Sequence, residues 1–441
     1  MTSFARALML ALCTICAFVE GAVAQEHGVI DGTPPGVATG NSTIGSGVEA
    51  TRPAFSLESV LDLAREKTPA VAAARARVLQ AEGERFRNAV LPDLDFAVAA
   101  GRGEPRVGTG SSKSETTFAI SQFIPWALGD RKRAGTASLE ASQYEVADVT
   151  AGVILEVRRR YYVAAIENSR ALALGQSAQD AQSLQEVVAR RVEAGEAPEG
   201  DRLRTRVEAL RTKLEARAAD AEASGARASL NRFLLGALGT EFSLSTELDP
   251  SRLPPSPPDL IELALSKNPA YLAALSRVDA AKLAASAESA SRIPGVSVSL
   301  YGLKELDRQA VGATFGFAIP LWNRNQGAIR ISRGRLAEAE SEALGLRARI
   351  EGEIEHLVRR DRVARELAVS YRQEIIPAAT EALSITRFSL EQGEANLLSW
   401  LEARRSYLET LRASYAAQLE AFLTRAELER LTGEINASDH R

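Results

Sequence analysis

Cysteine, aromatic side chains and long apolar runs are all scarce in this chain of 441 residues. The two cysteines, Cys13 and Cys16, lie in an N-terminal segment with the pattern of a cleaved signal. The mature chain is therefore expected to have no disulfide and no thiolate metal site. Aromatic residues are 5% of the chain, which favours long packed helices over a thick globular core. The net charge of −4 gives no indication of a nucleic-acid partner.

The first 24 residues resemble a secretory signal peptide. Arg6 supplies the positive charge, residues 7–19 form a short apolar run, and Ala22-Val23-Ala24 is a small-x-small cleavage site. A buried core helix is the alternative for this run. No small residue directly precedes either cysteine, so lipid attachment is not predicted. We expect a signal peptide over 1–24 and a flexible leader, rich in Gly, Pro, Ser and Thr, over 25–54.

The remaining chain repeats itself in four places, in the same order and at a nearly constant offset. The matching segments are 61–78 with 260–278, 91–101 with 293–302, 117–126 with 314–322, and 191–201 with 389–399. Four ordered matches indicate an internal duplication. The predicted repeats cover 55–248 and 259–433, a proline-rich connector that excludes helix and central strand covers 249–258, and a tail covers 434–441.

Each repeat predicts the same series of a helix, two short strands, a very long helix, a turn and a return helix. The first helices are expected over 57–89 and 259–291. One long helix runs from about Leu128 to Arg190, roughly 95 Å at 1.5 Å per residue. The second runs from Gln326 to Gln392, with Pro377 as its one predicted kink.

The short segments alternate apolar residues with small or polar ones. Val311, Phe315 and Phe317 fall on one face of a strand, and Gly312 and Thr314 fall on the other. A membrane β-barrel has this pattern, and so does an ordinary half-buried hairpin. If the strands cross a membrane, four are too few to close a barrel, because known barrels begin at eight. Several chains would then contribute to one barrel.

Two local motifs accompany the repeat. Gln122-Phe123-Ile124-Pro125, with Gly129 and Arg131, follows a predicted strand, and Arg-x-x-x-Gly-Glu-Ala spans Arg191 to Ala197. With the repeat order, these motifs resemble the outer-membrane factor (TolC-like) efflux channel family over about Phe55 to Gly433. The Gly-Glu-Ala turns and the short second external loop are more similar to the heavy-metal (cobalt–zinc–cadmium type) subgroup.

The resemblance implies a mainly α-helical protein with a small β part. Three chains would form one twelve-stranded barrel in the outer membrane, continued by an α-helical barrel in the periplasm. It implies a passive duct with no catalytic residues or cofactor, which exports small molecules or metal ions. The implied partners are two further chains, a periplasmic adaptor (membrane fusion) protein, an inner-membrane RND-type pump and outer-membrane lipid. The alternatives are a type I secretion channel for peptides or proteins, and a soluble periplasmic helical scaffold.

The resemblance also implies roles for residues at the two Gly-Glu-Ala turns, which correspond to periplasmic tips where an adaptor docks. The expected docking residues are Arg191, Gly195, Glu196, Ala197, Gly393, Glu394 and Ala395. Solvated turn carboxylates are the alternative for the two glutamates. Asp201, Ser399 and Glu402 are expected at the pore entrance. Ser399 replaces a frequent acid of the family, and Ala395 replaces an arginine that locks the entrance in some members. No metal site is predicted, since His27 and His440 lie near the termini and His356 lies in a charged helical stretch.

Overall fold

The computed structural model describes residues 53–103, 113–253, 259–305, 308–319, 321–322 and 324–434. The predicted signal peptide, the predicted leader up to Arg52 and the tail from Ile435 lie outside the described residues. So do residues 104–112 of the first predicted external loop and residues 254–258 of the connector.

The first half of the chain follows the predicted order of elements. Its elements are β1 (Ala54–Phe55), α1 (Leu57–Lys67), α2 (Pro69–Ala89), β2 (Asp95–Gly103), β3 (Lys113–Ile124), α3 (Leu128–Glu193), α4 (Glu199–Phe233) and β4 (Ser243–Leu244). The second half repeats this order. Its elements are α5 (Leu260–Lys267), α6 (Pro269–Ala290), β5 (Val296–Lys304), β6 (Gln309–Phe317), α7 (Gln326–Ser370), a π-helical turn (Tyr371–Ile375), α8 (Ile376–Glu391) and α9 (Leu397–Leu431). The predicted mainly helical fold with a small β part is confirmed.

The first helix of each repeat is broken, so the single helices predicted over 57–89 and 259–291 were wrong. The breaks fall at Thr68 and Asn268, whose ψ angles of 124° and 116° are extended. Each residue precedes a proline, and the proline ring disfavours helical backbone in the residue before it. The prolines then open α2 and α6, where a missing N–H costs no hydrogen bond.

Pro377 disturbs the second long helix, as predicted, but the disturbance takes the form of the π-helical turn Tyr371–Ile375 just before α8. Proline has no N–H for the helical ladder and crowds the carbonyl four residues earlier, and a π-turn relieves both effects. The connector also departs from expectation, because Pro250–Arg252 forms one turn of 3-10 helix. Asp249 caps that turn by accepting a 3.0 Å hydrogen bond from the Ser251 N–H.

Four strands form one antiparallel sheet in the order β2-β3-β5-β6. The predicted alternation continues across the sheet, because paired residues share a face. The row Phe96, Ile120, Leu300 and Ala313 is apolar, and the next row, Asp95, Ser121, Ser299 and Thr314, is polar. Strand β5 ends at Lys304 and strand β6 begins at Gln309, so four residues separate the two strands at the second external loop.

The apolar core is built twice, once for each repeat. In the first repeat, α1 packs Val60 against Ile154 of α3 and Leu230 of α4, and Phe422 of α9 joins this cluster. In the second, α5 packs Leu260 against Ile354 of α7 and Leu428 of α9. The parallel pair β1–β4, which was not predicted, closes the first cluster. None of the described helices carries an apolar stretch long enough to cross a membrane.

Candidate functional site

Helices α3 and α8 end in the same hydrogen-bonded turn. Gly195 and Gly393 have φ angles of +78° and +80°, in the left-handed region that glycine adopts with little strain. At the first turn the Glu196 N–H donates to the Arg191 carbonyl at 2.8 Å, and the Glu394 N–H donates to the Ser389 carbonyl at 2.9 Å at the second. The N–H of each glycine donates to the carbonyl of the residue three positions earlier. This is the Schellman arrangement, in which a left-handed residue satisfies the last carbonyls of a helix.

The return helices begin differently at the two tips. Helix α4 follows the extended Pro198, and no side chain caps it. Helix α9 follows Asn396, whose side-chain oxygen accepts hydrogen bonds from the Ser399 N–H at 2.8 Å and the Ser399 hydroxyl at 2.9 Å. The hydroxyl of Ser399, a predicted pore-entrance residue, therefore takes part in the cap of α9.

Arg191 brings the two tips together. Its Nη1 donates to the Leu390 carbonyl of the other hairpin at 2.8 Å, and its Nε lies 3.8 Å from the Glu196 carboxylate. Another guanidinium nitrogen passes close to Gly393, 3.2 Å from the point where a Cβ would stand. Beneath these contacts, α3, α8 and α9 share an apolar cluster of Leu184, Val188, Leu390, Leu397 and Trp400.

The predicted docking residues form an accessible surface beside this contact. Gly195, Glu196, Gly393 and Glu394 are exposed, and Ala197 and Ala395 are half-buried. A cleft of about 430 Å³ lies between the two tips. It is lined by Val187, Arg190, Arg191, Ala194, Glu196, Glu391 and Gln392. The tips therefore carry two similar exposed turns beside one cleft.

The predicted pore-entrance residues lie on two helices, Asp201 on α4 and both Ser399 and Glu402 on α9. Asp201 is half-buried in the first turn of α4, with a carboxylate oxygen 3.4 Å from Arg204. Glu402 is exposed in the second turn of α9. One chain does not join them into a ring. No group of three or more His, Cys, Asp or Glu side chains in the described part of the chain is placed to hold a metal ion.

Arg404 links the two hairpins above the tips and was missed by the sequence analysis. Its guanidinium donates to the Ser177 carbonyl and hydroxyl of α3, each at 3.1 Å, and to the Thr212 hydroxyl of α4 at 2.9 Å. The Glu208 carboxylate lies 3.4 Å from the Arg404 Nε. The central carbon of the Arg404 guanidinium, Cζ, lies 5.2 Å from the centroid of the Trp400 ring. The Arg404 side chain thus connects α9 to both α3 and α4.

The electrostatic setting of Arg404 is that of a buried cation. Its side chain is 2% exposed, and this burial lowers the pKa of the guanidinium. The nearby carboxylates of Glu208, Asp180 and Glu215 oppose that shift in pKa. The sequence did carry a signal. The apolar residues Leu397, Trp400, Leu408 and Leu411 recur at helical spacing on both sides of position 404, and all four are buried in the structure. An arginine in an apolar stripe indicates a buried charge with partners.

Valine at Gly195 is expected to damage the tip without damaging the fold. A β-branched residue at a positive φ costs roughly 1–2 kcal/mol. The surroundings add no clash, because nothing lies within 4 Å of a Cβ at this glycine. We expect faster amide exchange over the first tip, measured by hydrogen–deuterium exchange with mass spectrometry.

Gly200→Val is the matched control for this prediction. Gly200 lies in the first turn of α4, and a Cβ there also meets nothing within 4 Å, but its φ is not positive. Equal exchange in the two variants would show that positive φ does not hold the turn.

Comparison with known proteins places this architecture in a family. The sequence model of the family described as "Outer membrane efflux protein" matches residues 60–239 and 260–434. The cobalt-zinc-cadmium resistance protein CzcC of Cupriavidus metallidurans is 25% identical over 383 residues, which are 84% of this chain and 89% of that protein.

Solved structures share the fold at lower sequence identity. A crystal structure of CusC superposes with a TM-score of 0.72 at 15% identity, over 92% of this chain and 99% of that one. VceC of Vibrio cholerae superposes with a TM-score of 0.69 at 18% identity, over 86% of this chain and 96% of that one. Because the family model matches both repeats, the protein belongs to the outer membrane efflux protein family.

Proposed function

We propose that this chain is the outer-membrane channel of a tripartite efflux system. It works as a passive homotrimeric duct, not as an enzyme, and receives cargo from an inner-membrane pump through a periplasmic adaptor. The observation that carries the docking step is the pair of exposed Schellman turns at Gly195 and Gly393, held side by side by Arg191. Three chains present six such turns, a symmetric surface for several copies of an adaptor.

The membrane part of the proposal rests on the four-stranded sheet. In the order β2-β3-β5-β6, the outer edges of β2 and β6 have no strand partner within the described part of the chain. Open edges are not tolerated in lipid, so the sheet must close with other copies. Three chains bring twelve strands, with the mainly apolar face that includes Phe315 facing lipid and the opposite face, which includes Thr314, facing the lumen.

Divalent heavy-metal ions are the proposed cargo. CzcC, the relative at 25% identity, is named for resistance to cobalt, zinc and cadmium. Asp201 and Glu402 lie within two turns of the tips, so three chains would gather six carboxylates near the periplasmic entrance. Rings of carboxylates favour cations over anions in pores. The metal ions pass as cargo and require no resident site in the chain.

Deletion of the gene in its native host tests the cargo. We expect lower tolerance of zinc, cobalt and cadmium and a higher cellular metal content, both restored by the full-length chain. The restoring chain should sediment with outer membranes. A protein recovered in the soluble periplasmic fraction would instead support a helical scaffold. Unchanged metal content, together with a loss of a secreted polypeptide, would support a type I secretion channel.

Cross-linking at the tips tests the docking step. Glu196→Cys and Glu394→Cys each add one thiol to a mature chain expected to have none, because Cys13 and Cys16 lie in the predicted signal peptide. With a short bis-maleimide, we expect both variants to capture the adaptor in cells.

The control for docking is Gln176→Cys, an exposed position far above the tip on α3. It should capture little adaptor. If Gln176→Cys captures as much adaptor as the tip variants do, docking at the tips is wrong.

A further inference from the structure

Four helix ends meet at one end of the four-stranded sheet. Helices α2 and α6 lead into β2 and β5, and strands β3 and β6 lead into α3 and α7. Val296, the first residue of β5, is paired with Ile124, the last residue of β3, and with Phe317, the last residue of β6. Asp95, the first residue of β2, is paired with Ser121 near the end of β3. All four junctions between helix and strand therefore lie at the same end of the sheet.

The segments around these junctions are basic, although the whole chain has a net charge of −4. Residues 85–95, 124–135, 286–296 and 317–335 together contain ten arginines and lysines and four aspartates and glutamates. The ten basic residues are all exposed, and we call them the basic cluster. Its members are Arg85, Arg87, Arg131, Lys132, Arg133, Arg292, Arg324, Arg330, Arg333 and Arg335.

Two of the four acidic residues near the junctions are engaged in contacts that join the helices. Asp130 of α3 is half-buried, accepts a 2.7 Å hydrogen bond from the Ser286 hydroxyl of α6 and lies 3.7 Å from Arg133. Glu288 of α6 is also half-buried, and its carboxylate accepts a 2.7 Å hydrogen bond from the Asn325 amide. Among the described residues, Arg133 is the one member of the basic cluster that forms an ion pair. The cluster thus keeps an excess of positive charge that faces solvent.

Exposed apolar side chains lie between the sheet and the basic cluster. Trp126 comes two residues after β3, Trp322 comes five residues after β6, and the two are 61% and 89% exposed. Ile319 and Leu321, beside Trp322, are 68% and 62% exposed. Tryptophan is enriched where lipid tails meet headgroups. With the apolar face of the sheet in lipid, as proposed above, these residues lie at the periplasmic boundary of the membrane, and the basic cluster follows directly outside it.

We propose that the basic cluster binds the phosphate groups of anionic phospholipids in the leaflet of the outer membrane that faces the periplasm. This inference rests on the membrane sheet proposed above and names the lipid that the base of the sheet recognises. A negatively charged lipid surface attracts basic residues placed just outside a membrane segment. Nine of the ten members are arginines, and a guanidinium can donate two parallel hydrogen bonds to phosphate oxygens.

Both repeats place basic residues at corresponding junctions. Residues 131–133 follow Trp126 early in α3, and Arg330 and Arg333 follow Trp322 early in α7. Successive helical residues point about 100° apart, so the three residues 131–133 cover more than half of the circumference of α3. Three chains would therefore surround the base of the barrel with six such basic segments.

Lipid retention tests this inference. The full-length protein is reconstituted in vesicles of equal parts phosphatidylglycerol, which is anionic, and phosphatidylcholine, which has no net charge, and is then extracted in mild detergent. We expect lipid mass spectrometry to show phosphatidylglycerol enriched on the wild-type protein. The triple variant Arg131→Gln, Lys132→Gln and Arg133→Gln should lose most of this enrichment, because one basic residue near an anionic membrane changes binding by roughly fivefold. The double variant Arg330→Gln and Arg333→Gln should lose part of it.

The matched control removes three positive charges from exposed positions of α4, which lie away from the sheet. The triple variant Arg206→Gln, Lys213→Gln and Arg217→Gln should retain the enrichment. The double variant Arg131→Lys and Arg133→Lys keeps the charge and should retain it too, which separates charge from a structural role of these side chains. An equal loss in the α4 control and in the variant at 131–133 would overturn the inference.

Two further measurements separate the lipid from other anions and from the proposed function. Sodium chloride should lower the enrichment by screening, and millimolar inorganic phosphate should leave it unchanged. Displacement of phosphatidylglycerol by millimolar phosphate would overturn the lipid in favour of a site for free phosphate. Wild-type protein that inserts into the vesicles without any enrichment would overturn this inference alone. Wild-type protein that does not insert would overturn the membrane sheet and the proposed function with it.

Discussion

Replacing Arg404 with alanine is expected to loosen both helical hairpins above the tips. The change removes three hydrogen bonds to Ser177 and Thr212 and leaves the Glu208 carboxylate without its nearest cation. Removing one partner of a buried charged group costs on the order of 3 kcal/mol. We expect hydrogen–deuterium exchange to rise over the lower parts of α3, α4 and α9, with no change in the strands. The proposed export of metal ions should fall, because the tips lose their fixed spacing.

Arg405→Ala is the matched control for this prediction. Arg405 is the next residue of α9 and is exposed, so its removal should leave exchange unchanged. Arg404→Lys should give an intermediate result, since a lysine keeps the charge but has one nitrogen where the guanidinium places Nη2 at Ser177 and Thr212 and Nε near Glu208. If Arg404→Ala and Arg405→Ala have the same exchange rates, Arg404 does not hold the hairpins together.

Local signals predicted the parts of the fold that depend on neighbours in sequence. The two Gly-Glu-Ala segments predicted turns, because glycine adopts turn conformations with little strain. The alternation around Phe315 predicted strands, because side chains point to opposite faces of a strand in turn. These features need no knowledge of the rest of the chain.

The two helices predicted as continuous were wrong, although the restriction on a residue before proline argued against them. Helical periodicity across Thr68-Pro69 and Asn268-Pro269 favoured continuous helices, although a residue before proline avoids helical backbone. The break at Asn268 is also held from outside. Its side-chain amide donates to the Leu431 carbonyl at the end of α9, at 2.9 Å. A contact across 163 residues is not visible in the local sequence.

Long-range contacts account for the features that were missed altogether. Arg404 is 227 residues from Ser177 and 192 residues from Thr212, so no window of sequence joins them. The pair β1–β4 consists of two residues in each strand, and the rings of Phe55 and Phe242 pack edge to face beside it. Position 404 in an apolar stripe was the one visible sign of the contacts that Arg404 makes.

Replacing Phe315 with arginine is expected to cause the largest loss among changes to the sheet. Phe315 is 73% exposed and lies on the apolar face, opposite Val298 of β5. If this face meets lipid, an arginine near the bilayer midplane costs about 2–4 kcal/mol. We expect less protein in the outer membrane and a lower urea midpoint for unfolding from lipid vesicles.

Thr314→Arg separates lipid exposure from the general effect of an arginine in β6. Thr314 is the adjacent residue, is also exposed, and pairs with Ser299 on the polar face. In a barrel its side chain points into water, so the arginine should not lower the urea midpoint and should instead change the conductance of the channel. In a soluble scaffold neither face meets lipid, and the two variants should be equally stable. A shared urea midpoint would therefore argue against a membrane sheet, and a lower midpoint for Phe315→Arg alone would place the apolar face in the bilayer.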